Sequence, residues 1–239
     1  MLAVIRESTA NVPDELKTTS SGLVHAISCG SLFYHLSNIR DRYCRVLLPN
    51  CDISYFAYDK QVHLSWSYAE NGQMNCLFRG NILNVNDLKH RYGLEALADE
   101  KSVIFAMYKS ITSAEVSPDS VLKELTGIFA FVLYDAACKY IFLATDSEGK
   151  VPFFWGTSPD GPLIVCDKFE MMKKGCGNSF ARFPKCCFFM SRDCSIRNFS
   201  HPTKKLKPTP FIYEKTGEQL GVTFVIDEES EETSSSGSK

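Results

Sequence analysis

The chain has 239 residues, 44% of them apolar and 23% charged, with a formal net charge of -2. That suffices for one large domain or two small ones, with a real core, and the near-neutral charge without a basic stripe argues against a nucleic-acid surface. No apolar run reaches the roughly 20 residues of a membrane span, and Arg6 and Glu7 follow the apolar opening too soon for a secretory signal.

Met1-Leu2-Ala3-Val4-Ile5 reads as a buried first strand. Residues 53–58 and 62–68 are rich in strand formers. Asn71-Gly72 is the dipeptide of a tight hairpin turn, with a return strand over 75–78 that ends at Arg79-Gly80. Asn84 or Asn86 caps a short helix through His90, and Gly93 stops it. Apolar spacing at Val103, Ile104, Met107, Tyr108 and Ile111 predicts a helix, and Ser117-Pro118 starts another that ends near Leu125.

Residues 128–134 are apolar at every position, and 140–144 repeat the pattern after a hairpin loop. A strand with one wet face would alternate, so both faces of these strands are covered. Consecutive strands of this kind imply sheet packed on sheet with helices outside, a layered α+β fold. Shorter strands are expected at 187–190, 196–199 and 222–226. Residues 227–239 offer nothing apolar to bury and read as a disordered acidic, serine-rich tail behind a domain of residues 1–226.

With no export signal, the ten cysteines are expected to remain thiols in the cytoplasm, or in the nucleus. They lack the paired spacing of zinc ligands, and adjacent Cys186 and Cys187 would point to opposite faces of a strand. No metal and no cofactor are expected.

Three segments, in order, resemble the amidotransferase domain of asparagine synthetase. They are Arg79-Gly80-Asn81-Ile82-Leu83-Asn84; Gly127-Ile128-Phe129-Ala130-Phe131-Val132-Leu133-Tyr134-Asp135 with Thr145-Asp146-Ser147-Glu148-Gly149-Lys150-Val151-Pro152-Phe153-Phe154; and Phe183-Pro184-Lys185. Closer still is a resemblance to the plant aluminium-induced, or stem-specific, proteins with YGL and LRDR motifs. It runs from Met1 almost to residue 226 and includes Tyr92-Gly93-Leu94, Val151-Pro152-Phe153-Phe154-Trp155-Gly156-Thr157 and Lys173-Lys174-Gly175-Cys176-Gly177. Where that family has Leu-Arg-Asp-Arg, this chain has Ile111-Thr112-Ser113-Ala114.

The resemblance implies a four-layer αββα N-terminal-nucleophile hydrolase fold, two packed antiparallel sheets between helical layers. Active relatives begin with a cysteine whose thiolate attacks glutamine while its own α-amine serves as base. Here Met1-Leu2 stand in that place, and a thioether cannot form the acyl intermediate. No catalytic residue is therefore expected.

The glutamine pocket is expected to be degenerate. Arg79-Gly80 replace the Asn-Gly of the oxyanion hole, Asn81 replaces a substrate-binding Glu, and His63 falls near the carboxylate-clamping Arg; Asp99 matches an acidic amine ligand. Each also has a plain structural alternative: Arg79 as a salt-bridging residue, Asn81 as a turn cap, His63 as a strand histidine. Cys76, three residues before Arg79, is the candidate for a surrogate nucleophile, against the alternative of a buried strand thiol.

The leading expectation is a non-enzymatic binding or regulatory protein in plant stress or hormone responses, without the synthetase half that consumes ammonia. The alternatives are a repurposed amidohydrolase and a homo-oligomeric scaffold. Expected partners are a small molecule or a protein, a second copy included, with no membrane and no nucleic acid.

Overall fold

The computed structural model describes residues 1–6, 16, 26–39, 43–51, 54–60, 66–113, 116–213 and 217–227. The acidic tail beyond Asp227 and most of the strand expected over 62–68 lie outside the described residues. The chain opens with β1 (Leu2–Ile5), α1 (Cys29–Ile39), β2 (Tyr43–Leu47) and β3 (Tyr55–Asp59). A hairpin of β4 (Ser67–Asn71) and β5 (Met74–Ile82) leads into α2 (Val85–Arg91), α3 (Glu100–Thr112) and α4 (Pro118–Lys123). A second hairpin, β6 (Gly127–Asp135) and β7 (Tyr140–Thr145), precedes β8 (Phe154–Thr157), β9 (Leu163–Cys166) and α5 (Phe169–Cys176). Strands β10 (Phe180–Arg182), β11 (Cys187–Met190), β12 (Ser195–Asn198), β13 (Leu206–Tyr213) and β14 (Glu218–Ile226) follow.

These strands form an eight-stranded sheet, β13-β14-β10-β8-β9-β1-β3-β2, and a six-stranded sheet, β12-β11-β7-β6-β5-β4. Side-chain alternation divides their apolar residues among three cores. Ala3, Ile5, Leu77, Ala130, Val132, Leu143 and Trp155 meet between the sheets. Cys76, Phe78, Phe129, Phe131 and Leu133 pack outward against Val103, Met107 and Leu122 of the helices α3 and α4. Leu2, Val4, Ile164 and Cys166 pack outward from the other sheet against Leu32, Leu36, Met171 and Met172 of α1 and α5. The result is the αββα order that the resemblance implies. Neither face of β1, nor of β6 from Phe129 onward, meets water, and burying each large side chain contributes about 1.5–3 kcal/mol, far beyond local propensity differences.

One strand pair departs from the expected antiparallel sheets. β10 and β14 run parallel, with Ala181 opposite Val222. Between them the chain crosses to the other sheet to build β11 and β12, and only such a long crossover permits a parallel neighbour. Beyond β14 lies edge strand β13, with Pro208 opposite Phe224 and Pro210 opposite Val222.

Local signals act largely as expected. Gly72 turns the β4–β5 hairpin at φ +62°, and Ser117 caps α4 by accepting from the Ser120 amide at 3.3 Å. Asn84 precedes α2 without capping it. Its side chain instead donates to the Glu124 carbonyl at 2.8 Å and accepts from the Thr126 amide at 3.1 Å, tying α2 to the end of α4. Cys186 lies in a turn before β11, not on a strand beside Cys187. No helix among the described residues is long and apolar enough to cross a membrane.

β5 also runs past Arg79-Gly80 to Ile82, pairing throughout with β6. Two glycines permit this close approach. Gly80 (φ +134°) and Gly127 (φ +130°) adopt conformations closed to other residues, and a Cβ would lie 2.0 Å from the Ile128 oxygen at Gly80 and 2.2 Å from the Asn81 oxygen at Gly127. Gly127→Ala should therefore lower stability by at least about 2 kcal/mol. Urea denaturation reads this as a reduced midpoint; an unchanged midpoint contradicts it.

Candidate functional site

β1 lies between β3 and β9, with Leu2 opposite both Ala57 and Cys166. That register brings residue 1 beside residue 167. The Met1 α-ammonium donates to Asp167 Oδ1 at 2.6 Å. The Met1 carbonyl accepts from Cys166 Sγ at 3.0 Å. By alternation the Met1 side chain points with Ala3 and Ile5 into the inter-sheet core, where it is 2% exposed.

Arg79 reaches the same carboxylate from β5, its Nη1 3.8 Å from Asp167 Oδ2. One carboxylate thus faces two cations. The arginine contact is long and a third exposed, so it contributes about 0–1 kcal/mol. The ammonium pair, with side chains 0% and 13% exposed, is short, charge-assisted and dominant. Burial pushes the Cys166 thiol up to about 11; the neighbouring ammonium pulls it down and Asp167 pushes it up again.

The residues singled out from the sequence are only partly brought together. Arg79 faces inward with Leu77, joining Met1 and Asp167, and Gly80 follows it in β5. Asn81 is exposed and pairs with Ile128 at the start of β6. His63 lies outside the described residues. Cys76 faces the other way, into the helix-side core, where burial raises its thiol well above the ordinary range. Three residues along a strand change the face, so proximity to Arg79 in sequence does not bring Cys76 to the pocket.

Asp99 is the N-cap of α3. It accepts from the Ser102 amide at 3.0 Å and the Ser102 hydroxyl at 2.9 Å, and Lys101 Nζ lies 2.7 Å away. Burial alone would raise its carboxyl, but these hydrogen bonds and the lysine charge outweigh that and hold it below its ordinary 3.8. None of its contacts among the described residues reaches Met1, Arg79 or Asp167.

Asp167 was not legible as a site residue. Its one local signal is being the acid that ends the apolar run 163–166; its role depends on a contact 166 residues away. Among the described residues no group of three or more His, Cys, Asp or Glu side chains could hold a metal ion.

The chain matches the family described as DUF3700, aluminium induced protein, over residues 2–226, and belongs to that family. It is 29% identical over 160 residues to the stem-specific protein TSJT1 of Nicotiana tabacum, covering 60% of this chain and 99% of that protein. It is 29% identical over 125 residues to the glutamine-hydrolysing asparagine synthetase B of Escherichia coli, covering 51% of this chain and 21% of the enzyme. Glutamine-hydrolysing asparagine synthetase of Gallus gallus is 34% identical over 93 residues, 38% of this chain and 16% of the enzyme. The chain therefore spans only about a fifth of the synthetases it matches. Among solved structures, glutamine phosphoribosylpyrophosphate amidotransferase from B. subtilis aligns with a TM-score of 0.46 and 13% identity over 62% of this chain and 35% of that one.

Two expectations follow from this geometry. Asp167→Ala strands a buried ammonium and should cost about 3 kcal/mol, read by chemical denaturation; a loss within error would show that the pair is not structural. Asp99→Ala should cost about 1 kcal/mol at neutral pH. Because the folded carboxyl titrates below 3.8, that contribution is present above the unfolded value and is lost as pH falls through the folded one. Wild type and variant should thus converge in stability on acidification, and a gap that persists in acid would exclude the carboxylate as its source.

Proposed function

We propose that this member of the aluminium-induced protein family is a catalytically inactive glutamine-amidotransferase-like protein that acts by binding, as a regulatory component of plant stress or hormone responses. One observation carries the inactive part. The position that must supply both nucleophile and base holds a buried methionine, and its α-amine is committed to Asp167 at 2.6 Å. A thioether has no proton to lose and forms no acyl intermediate. An amine bound to a carboxylate is not aimed at a nucleophile.

The surroundings support the same reading. Arg79 stands where an oxyanion-stabilising amide would be, and it is directed at Asp167. Loss of one such donor costs about 10²–10³ in rate, which weakens catalysis without abolishing it. Loss of the nucleophile removes the reaction itself. Neither Cys166 nor Cys76 replaces it: Cys166 is wholly buried and donates to the Met1 carbonyl, and Cys76 lies in the helix-side core. The regulatory part is supported by family membership and by the stem-specific relative.

Glutamine turnover tests the proposal. The purified protein should release no ammonia from glutamine above the protein-free rate. Leu2 faces the helices rather than the inter-sheet layer, so the informative variant is Met1→Cys, supplied behind a removable initiator. It should remain at least about 10²-fold below an active amidotransferase because Arg79 still replaces the donor. Ammonia release by the unaltered protein overturns the proposal.

A further inference from the structure

The two sheets part where the turn after β7, the β10–β11 turn and the end of β14 meet. A groove of about 820 Å³ lies there, within the range of roughly 300–1,000 Å³ usual for small organic ligands. Its floor is apolar and fixed. Phe183 and Phe224 are 3% and 7% exposed, and Phe183 packs edge-on against Trp155 with ring centroids 5.1 Å apart. Its rim carries the cations Arg182 and Lys185, with His201 beside them, all three exposed.

That rim is held in place. Arg182 Nη2 donates to the Gly149 carbonyl at 2.8 Å. Asn198 Oδ1 accepts from the amides of Ser200 and His201, each at 2.9 Å, fixing the loop that carries the histidine. Next to Lys185, Cys186 adopts φ +56°, a conformation that costs about 1–3 kcal/mol in a residue with a side chain. Its amide donates to the Asp146 carbonyl at 2.9 Å and its carbonyl accepts from the Phe199 amide at 2.8 Å. Strained backbone pinned from both sides is a common mark of a functional turn.

Among the described residues these charges lack a carboxylate complement. Glu148 is the one carboxylate lining the groove among the described residues, and it is paired with Lys150. Arg182 has a carbonyl partner, and no ion pair among the described residues engages Arg182 or Lys185.

We infer that this groove binds a small amphipathic anion, with its carboxylate, sulfonate or phosphate on Arg182 and Lys185 and its apolar body against Phe224 and Leu206. The half-apolar lining favours a ligand with an organic body over a bare inorganic anion. The few cations, in a chain of net charge -2, disfavour nucleic acid. The groove shares no lining residue with the Met1–Asp167–Arg79 cluster, so it stands independently of the proposed function.

Anilinonaphthalene sulfonate, an aromatic monoanion, is a direct probe. Added to the native full chain it should bind with a rise in fluorescence and slow iodoacetamide labelling of Cys186, which lines the groove, without slowing that of exposed Cys138. The Arg182→Gln/Lys185→Gln variant, with unchanged circular dichroism, should bind the probe at least about tenfold more weakly. Neutral phenylnaphthylamine should also bind the unaltered protein at least about tenfold more weakly. Equal binding by the double variant, equal binding of the neutral amine, or no protection of Cys186 would each overturn the inference. A chain ending at Asp227 should bind as the full chain does. Tighter binding on truncation would assign these cations to the glutamates of residues 228–232 and would equally overturn it.

Discussion

The structure depends on strands that are buried on both faces. Every residue of β1, and every residue from 128 to 134 in β6, is committed to one of two cores, and a slip of one position would exchange them all. Leu2 and Val4 belong to the helix side while Met1, Ala3 and Ile5 belong between the sheets. That division fixes the register of β1 against β9, and with it the meeting of Met1 and Asp167. The polar cluster is thus positioned by hydrophobic packing rather than by the ions' own attraction, which is weakened by solvent screening and partly offset by desolvation.

The same physics explains what the sequence made legible. Strands β6 and β7 declare themselves through the unbroken apolar runs 128–134 and 140–144, and the β4–β5 turn through Gly72, which suits a left-handed backbone. The short β8 and β9, four residues each, carry too little pattern to stand out, as does the eight-residue α5 mixing Met171 and Met172 with Lys173 and Lys174. At the site, Arg79 was accessible through its motif. Asp167 was not, because its role comes from a register rather than a spacing. Cys76 misled because closeness along a strand says nothing about which face a side chain takes.

In the proposed reading, the Met1 position keeps the architecture of an amidotransferase scaffold without its chemistry. A residue at the head of β1 that points between the sheets has two uses: reacting with something in the cleft, or filling the core. A methionine thioether, flexible and apolar, suits the second. Asp167 in turn satisfies an amine that would otherwise be a costly buried donor. Packed with Ala3 and Ile5, Met1 holds the strand in place.

The edges of the two sheets are not equivalent. At β13, Pro208 and Pro210 remove two amide donors from the same side of the strand. Any chain that tried to add itself there would meet gaps where hydrogen bonds should form. The eight-stranded sheet is therefore sealed against growth at this end. Continuous sheets between copies, and the fibrils to which such stacking can lead, would have to start from a different edge.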